Sequence, residues 1–531
     1  MTKRAILLFV SLLSTAAFTV HPQTSNTASG KPEDIRLTWS ESPQMTQTIG
    51  WRTDSTVTAG NVQYAKSGRP FTSVSAAAPE VISSNDGKIH LFTATLRDLE
   101  PGTRYRYRVG NGPVWSATYT FETEKRVPGS FDFLIFGDSH EKKPSYDVWH
   151  KTAEKAYLDN SQAKFFVSVG DLIYSGRDYM QWRAWFAACQ DVVAKIPVFP
   201  VIGDHEPRGT TSKELWQRPE YFVNLFKVPQ NGPIGFKGEI YSFDYGFAHI
   251  VVLNSSFTYE FEGEADRKSM LEAEAVWLDA DLASTKQPWK IVVYHDATYN
   301  LASDRSGVYT KKYFGPVIDK HHVDAVFNGH DHAMARTYFM NNEQFVPTAA
   351  EGTVYFISGR TGNNVKESLG RKIWHPFFHD PQAQTCYLVV SVEKSRLTVK
   401  TRLQDGTIVD NFKINKKNPA ESTPVVPFGA YETTRFAPFG SLLQSGLPPQ
   451  QNKSGEWFVD VKALASYLSG TFDSTNNLLS YNDNEIKLQL TDGMFFDSSK
   501  ALVSLAGLTS VGFYCKYHPA MNLITVERWR D

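Results

Sequence analysis

The chain has 531 residues, too many for one ordinary hydrophobic core, so several domains are expected. Its composition, 41% apolar and 21% charged, is that of a globular protein, and a 13% aromatic share favours β-rich parts. With 55 Lys and Arg against 56 Asp and Glu, nothing in the bulk charge favours nucleic acid or an anionic membrane surface as a partner.

Lys3 and Arg4 precede AILLFVSLLSTAAF, an apolar run of signal-peptide length that is too short to span a bilayer comfortably. Residues 1–25 read as a secretory signal, which predicts export to the medium or the cell envelope. Cys189, Cys386 and Cys515 lie far apart in apolar or aromatic surroundings. An exported chain without a disulfide framework fits a bacterial envelope, and each cysteine reads as a small core residue.

A β-sandwich is predicted over 30–127. Ile35, Leu37 and Trp39 alternate with polar residues, as do Ile49 and Trp51, then Phe92, Ala94 and Leu96, then Tyr105, Tyr107 and Val109. The stretch LRDLEPGTRYRYRV, residues 96–109, resembles the tyrosine corner of fibronectin type III-like sandwiches.

The pattern changes over 128–415. FDFLIF, AKFFVSV, IPVFPVI, HIVVL, WKIVVY, VDAVF and TVYFIS are short continuous apolar runs, the mark of strands covered on both faces. Between them lie helical stretches. Tyr179, Trp182, Phe186 and Cys189 share one helical face, and Leu271, Ala275, Leu278 and Leu282 another. Strands alternating with helices predict an α/β domain of layered β sheets flanked by helices.

Residues 416–531 are read as a linker and a small α+β repeat domain. FAPFGSLLQSG (436–446), WFVDVKALASYLSG (457–470) and MFFDSSKALVSLAG (494–507) share an outline of strand, small turn and short helix. This resembles the repeats of copper amine oxidase N-terminal-like, stalk-type domains. No copper site is implied, since the segment holds one histidine, His518, and one cysteine. The expected role is a spacer or a noncovalent contact with the cell envelope.

The chemistry gathers at the C-terminal ends of the apolar strands, where open α/β sheets bind ligands. FDFLIF runs into GDSH with Asp138 and His140, and AKFFVSV into GDLIY with Asp171 and Tyr174. IPVFPVI runs into GDHE with Asp204 and His205, WKIVVY into His295, and VDAVF into GHDH after Asn328, with His330 and His332. Any one of these is an ordinary cap, turn or surface histidine. Five together, four of them at or just after a glycine, read as a metal site.

The order GD-x-H, GD-x-x-Y, G-x-HE, strand-terminal His and GH-x-H resembles the calcineurin-like metallophosphoesterases, and Tyr174 and the preceding sandwich point to the purple acid phosphatase branch. The resemblance implies two metal ions, Fe paired with Zn, Mn or Fe, bridged by Asp171. It places Asp138, Tyr174 and His332 on the first ion and His295, His330 and the residue at 204 on the second. His205 would face the substrate phosphate. Two cations suit a phosphoester because they offset its charge and lower the pKa of a bound water. Imidazole with carboxylate suits Fe, Zn or Mn.

Three departures from that pattern stand out. Asp204 replaces the usual Asn of the third motif. His140 occurs together with Tyr174, where the purple acid phosphatase branch has glycine. The segment DATYNLASDRSGVY after His295 lacks the further histidine pair of plant-type members, leaving Tyr299, Arg305 and Tyr309 as the candidate substrate contacts there. His321 and His322 read as surface residues.

The expected function is a secreted phosphomonoesterase using a dimetal-bound hydroxide, acting on a phosphorylated small molecule or polymer. A phosphodiesterase or nucleotidase on the same site is the nearest alternative. A surface-binding protein with a degenerate enzyme domain is an alternative of another class. No basic patch predicts specific nucleic-acid binding.

Overall fold

The computed structural model describes residues 30–528, apart from 76–78, 144, 210–216, 262, 303–304, 424–434, 440, 442–448, 482–483, 489–494 and 498–499. The expected signal segment falls outside the described residues.

The N-terminal domain is a sandwich of two antiparallel sheets. One runs Glu33–Thr38, Gln47–Asp54, Gly87–Leu96, Glu80–Ser84; the other is built around Asn61–Lys66 and Arg104–Asn111. Ile35, Leu37, Ile49, Trp51, Phe92 and Ala94 meet Val62, Tyr105, Tyr107 and Val109 in its core. The Tyr105 hydroxyl accepts from the Glu100 N–H at 2.9 Å, closing the corner at Pro101 and Gly102.

Strict alternation implies a solvated second face, and here the structure differs. Arg36, Thr38, Gln47, Thr48 and Arg52 are buried too. The cause is the next domain, which covers that face. Gln190 bonds both backbone groups of Ile35 at 3.1 and 2.7 Å, the Thr38 hydroxyl donates to the Lys227 carbonyl at 2.7 Å, and Arg36 donates to the Leu225 carbonyl.

The α/β domain stacks two mixed sheets. The first runs Val198–Pro200, Phe166–Ser168, Phe131–Phe136, Cys386–Val392, Arg396–Leu403, Ile408–Asn415. The second runs Tyr241–Tyr245, Ala248–Val252, Trp289–Val293, Ala325–Asn328, Val354–Ser358, Met334–Arg336, Phe377–His379. One core containing Phe133, Ile291, Phe327, Phe356 and Phe412 joins their inner faces. Helices Asp147–Asp159 and Tyr179–Val193 cover the first sheet through Trp149, Trp182 and Trp185. Glu264–Ser284 covers the second through Leu271 and Leu278 against Val292 and Val326. Ala275 is only half-buried, and Glu274 takes the core position instead. Its carboxylate accepts from the Asn254 N–H at 2.6 Å, which makes burial of an acid tolerable there.

Phe131–Phe136, Phe166–Ser168 and Val198–Pro200 run parallel, as do Ala248–Val252, Trp289–Val293, Ala325–Asn328 and Val354–Ser358. Their C-terminal ends therefore gather on one side, and the five motifs sit there.

The C-terminal segment has its own core, including Val459, Leu464, Leu479, Val503 and Leu508. Trp457–Asp460 leads into helix Val461–Tyr467 and the hairpin Thr471–Asp473, Leu478–Tyr481. The third outline differs from expectation: KALVS is the strand Lys500–Ser504, and the helix begins only at Leu505. That strand pairs with Trp457–Asp460, so Val503 faces Val459 and apolar residues at helical spacing serve a sheet instead. The helix expected within 436–446 falls largely outside the described residues. A buried Lys311–Glu527 ion pair and a bond from the Tyr514 hydroxyl to Glu343 fix this segment to the α/β domain. Among the described residues, no helix is long and apolar enough to cross a membrane.

Candidate metal centre

Asp138, Asp171 and His330 all have left-handed backbone, with φ of 43°, 53° and 68°. Non-glycine residues adopt this region rarely and at a cost, and such strain concentrates at functional sites. Here it turns each chain sharply off its strand and aims the side chain inward. The glycines permit the crowding that results. A Cβ on Gly203 would run into the Asp171 carboxylate, and one on Gly170 would lie 2.5 Å from His295 Nδ1.

Two buried clusters form. Asp138, His140, Asp171 and His332 bring one donor atom each to within 4.8 Å of one another; so do Asp171, Asp204, His295 and His330. Asp171 belongs to both. The two histidines of the GHDH turn are thereby divided, one to each cluster.

The imidazoles are oriented by bonds behind them. The Nδ1–H of His295 donates to the Val169 carbonyl at 2.7 Å and that of His332 to the Asn364 carbonyl at 2.6 Å. Each then presents Nε2 to the carboxylates, at 3.3 Å from Asp171 and Asp204 for His295 and 3.4 Å from Asp138 for His332. His330 is turned the other way, with Nδ1 3.0 Å from Asp204 and Nε2 3.5 Å from Asp296. The amide of Asn364 meets His140 Nε2 at 2.6 Å, so His140 Nδ1 faces Asp171. That nitrogen is fully buried and has no hydrogen-bond partner. A buried, unpartnered imidazole nitrogen in a cluster with the carboxylates of Asp138 and Asp171 is what a cation ligand requires, and the donor set fits the expected ions.

The electrostatics agree. Burial, then the neighbouring His205, hold the His140 ring well below the usual histidine range, keeping it neutral. Burial and Asp204 would raise Asp171, but His295 and His205 outweigh them and hold it low. Asp204 is likewise held low against burial by His330 and His205. His295 is pushed well up despite burial by Asp171 and Asp204, so a cation bound among these groups would displace a proton.

Tyr174 and His205 lie beside the clusters. The His205 Nδ1–H donates to the Tyr174 carbonyl at 2.6 Å, leaving Nε2 at 3.9 Å from Asp171 and 4.0 Å from Asp204. The Tyr174 ring is half-buried, with its centroid 5.0 Å from that of His205 and 6.1 Å from that of His140. Of the other candidates, Tyr299 is buried against Tyr355 and Trp374, and Tyr309 packs on Phe257. Arg305 bonds the His330 carbonyl and Asp331. His321 pairs with Asp279 at 2.6 Å and caps the C-terminus of helix Gly315–Lys320, ahead of strand Ala325–Asn328 and away from its C-terminal end.

Several supporting residues receive no role from the sequence, although Glu206 and Asp331 lie within the GDHE and GHDH motifs. Glu206 accepts from the N–H groups of Asp171, Leu172 and Gly203 at 2.9, 2.8 and 2.6 Å, tying two motifs together. Burial and the Asp171 charge push its carboxyl up to about 8. Asp331 accepts from the Leu301 N–H and from Arg305, which braces the GHDH turn from behind. Asn364 comes from a distant loop to touch both His140 and His332.

Residues 32–123 match the purple acid phosphatase N-terminal domain, and residues 131–334 match the calcineurin-like phosphoesterase family. Acid phosphatase type 7 of Mus musculus is 26% identical over 428 residues, 72% of this chain and 90% of that protein. Purple acid phosphatase 18 of Arabidopsis thaliana is 28% identical over 407 residues, 71% of this chain and 84% of that protein. The structure of purple acid phosphatase PPD1 from yellow lupin (Lupinus luteus) seeds shares the fold, with a TM-score of 0.59 at 17% identity over 75% of this chain and 78% of that one. The chain thus matches, in order, the purple acid phosphatase N-terminal domain and the calcineurin-like phosphoesterase family, and its relatives support a phosphoester hydrolase.

Proposed function

We propose that this chain is an exported phosphomonoesterase with two metal ions. The observation that carries the reading is the pair of buried four-residue clusters sharing Asp171. Asp138, His140, Asp171 and His332 would hold one ion, and Asp171, Asp204, His295 and His330 the other. Bound there, the ions supply charge neutralisation and an acidified water. His205, whose Nε2 faces both clusters, is placed to donate to the leaving oxygen or to developing negative charge. A first site rich in imidazole favours Mn, Zn or Fe(II), whereas ligation by Tyr174 would favour Fe(III) and a visible absorption band. The spectrum of the purified protein separates the two. The substrate is a phosphorylated small molecule or polymer, and the C-terminal segment serves as a spacer or noncovalent envelope contact. The test is phosphate release from 4-nitrophenyl phosphate by the mature protein, with metal content measured alongside. Release with about two ions per chain is expected. A folded, metal-loaded protein that hydrolyses only diesters would replace this reading with a phosphodiesterase, and one that holds no metal would sink it.

A further inference from the structure

Arg208 follows His205 by three residues and has no place in the scheme above. Its Nη1 lies 3.3 Å from His205 Nδ1 and 3.2 Å from Nε2. A nitrogen equidistant from both ring nitrogens sits against the face of the imidazole rather than in its plane. The Nδ1 proton is in any case already given to the Tyr174 carbonyl. The guanidinium carbon also lies 5.6 Å from the Tyr174 ring centroid. Arg208 is thus held by two ring contacts, and among the described residues no carboxylate pairs with it. Arg208 is half-buried and rests on the ring whose Nε2 lies 3.9 Å from Asp171 and 4.0 Å from Asp204, so a guanidinium that pairs with no carboxylate keeps its planar fork of donors for something else.

We propose that Arg208 is a substrate-binding residue that clamps a non-bridging phosphate oxygen and selects monoesters over diesters. The inference rests on the phosphoesterase reading. Its physical basis is a count of oxygens and charges. A monoester dianion presents three non-bridging oxygens, so one remains for a guanidinium when two face the clusters. A diester monoanion presents two and carries half the charge. His205 and Arg208 lie in contact, so the clamp and the residue facing the leaving oxygen would act on one phosphate. The fork geometry also makes arginine better suited than lysine here.

The test compares wild type with Arg208→Met and Arg208→Lys. Two quantities are read on metal-loaded, folded protein: kcat/KM for 4-nitrophenyl phosphate and for bis(4-nitrophenyl) phosphate, and the Kd of inorganic phosphate by calorimetry. Arg208→Met should weaken phosphate binding and monoester kcat/KM by roughly 10- to 100-fold, with diester turnover changed about threefold or less and metal content intact. Arg208→Lys should recover part of the loss. Unchanged phosphate affinity, or equal losses on both esters, overturns the proposal. A wild type that binds phosphate through Arg208 without hydrolysing monoesters would retain the clamp and reject the phosphomonoesterase reading. A wild type that neither binds nor hydrolyses would reject both.

Discussion

Two buried regions of this molecule are dense in charge, and they solve the problem of burial differently. At the junction of the sandwich and the α/β domain, Arg52 meets Glu33, Asp34 and Asp86, and Arg183 meets Asp86 and Glu33. Every carboxylate there has a guanidinium from the same chain. At the strand ends, Asp138, Asp171 and Asp204 converge with four imidazoles; the guanidinium of Arg305 is committed to Asp331, and among the described residues that of Arg208 rests on the His205 ring and pairs with none of the three. The first region is neutralised from within. The second is a set of donors facing one another, which only cations from outside can complete. Burial of charge alone therefore does not mark a site; what marks it is burial of acceptors without the chain's own cations.

The strongest way to break this contrast is Asp171→Asn. Asparagine tolerates the left-handed backbone at this position, so the fold should survive. Both clusters lose their shared carboxylate. Turnover should fall roughly a thousandfold or more and bound metal should drop below two ions per chain, while the metal-free protein melts no lower than wild type. Retained activity in a folded variant would remove Asp171 from the centre of the argument. The junction should behave oppositely. Arg52→Met leaves Asp34 and Asp86 buried without their shared guanidinium, at an expected cost of about 3–5 kcal/mol in chemical denaturation with metal stoichiometry unchanged. A loss under about 1 kcal/mol would mean that Arg183 suffices alone.

The two regions were not equally legible in sequence. Each donor of the clusters follows an apolar run, and all but His295 lie at or near a glycine, so Asp138, Asp171, Asp204 and the GHDH histidines stand out as punctuation. The junction leaves no such trace. Arg36 and Arg52 occupy the polar phase of an alternating strand, which is how a solvated face looks, and nothing local tells that a second domain covers it. The same blindness hides Asn364, which lies 224 residues from His140 in sequence yet touches its ring. Arg208 is equally silent, because a single arginine in a loop has no periodicity or spacing to identify it. In the C-terminal segment, KALVS fits a helix or a strand by pattern, and only its pairing with Trp457–Asp460 decides between them.

A smaller change sharpens the comparison inside the site. Asp204 puts a third carboxylate where the family pattern has an amide, and its oxygens lie 3.0 Å from His330 and 3.3 Å from His295. Asp204→Asn removes one charge and keeps an oxygen donor. The second ion should bind roughly tenfold more weakly in a metal titration, with the first ion little affected and turnover retained at saturating metal. Equal weakening of both ions would show that Asp204 is not confined to one cluster.

His249 tests the same logic without a metal. Its Nδ1 lies 2.7 Å from Asp244 and its Nε2 2.7 Å from Asp281, so carboxylates occupy both sides of the ring and no backbone carbonyl ties down a nitrogen. Burial pulls its pKa down, but the bonds to Asp244 and Asp281 overcome this and carry it up to about 9. Here the imidazole is itself the cation that neutralises two acids. Since the folded pKa lies above the unfolded value near 6.5, the stabilisation is complete below about pH 6.5 and is lost as pH rises through about 9. Asp244 is half-exposed, so screening reduces the effect to about 1 kcal/mol. His249→Gln should therefore cost about that much at pH 6 and close to nothing at pH 10, read as the difference in denaturation midpoints across the range. A penalty that stays flat with pH would mean that the ring matters for its shape and hydrogen bonds. Its charge would then have no part in holding Asp244 and Asp281 together, and an imidazole between two acids would not need to be a cation in this fold.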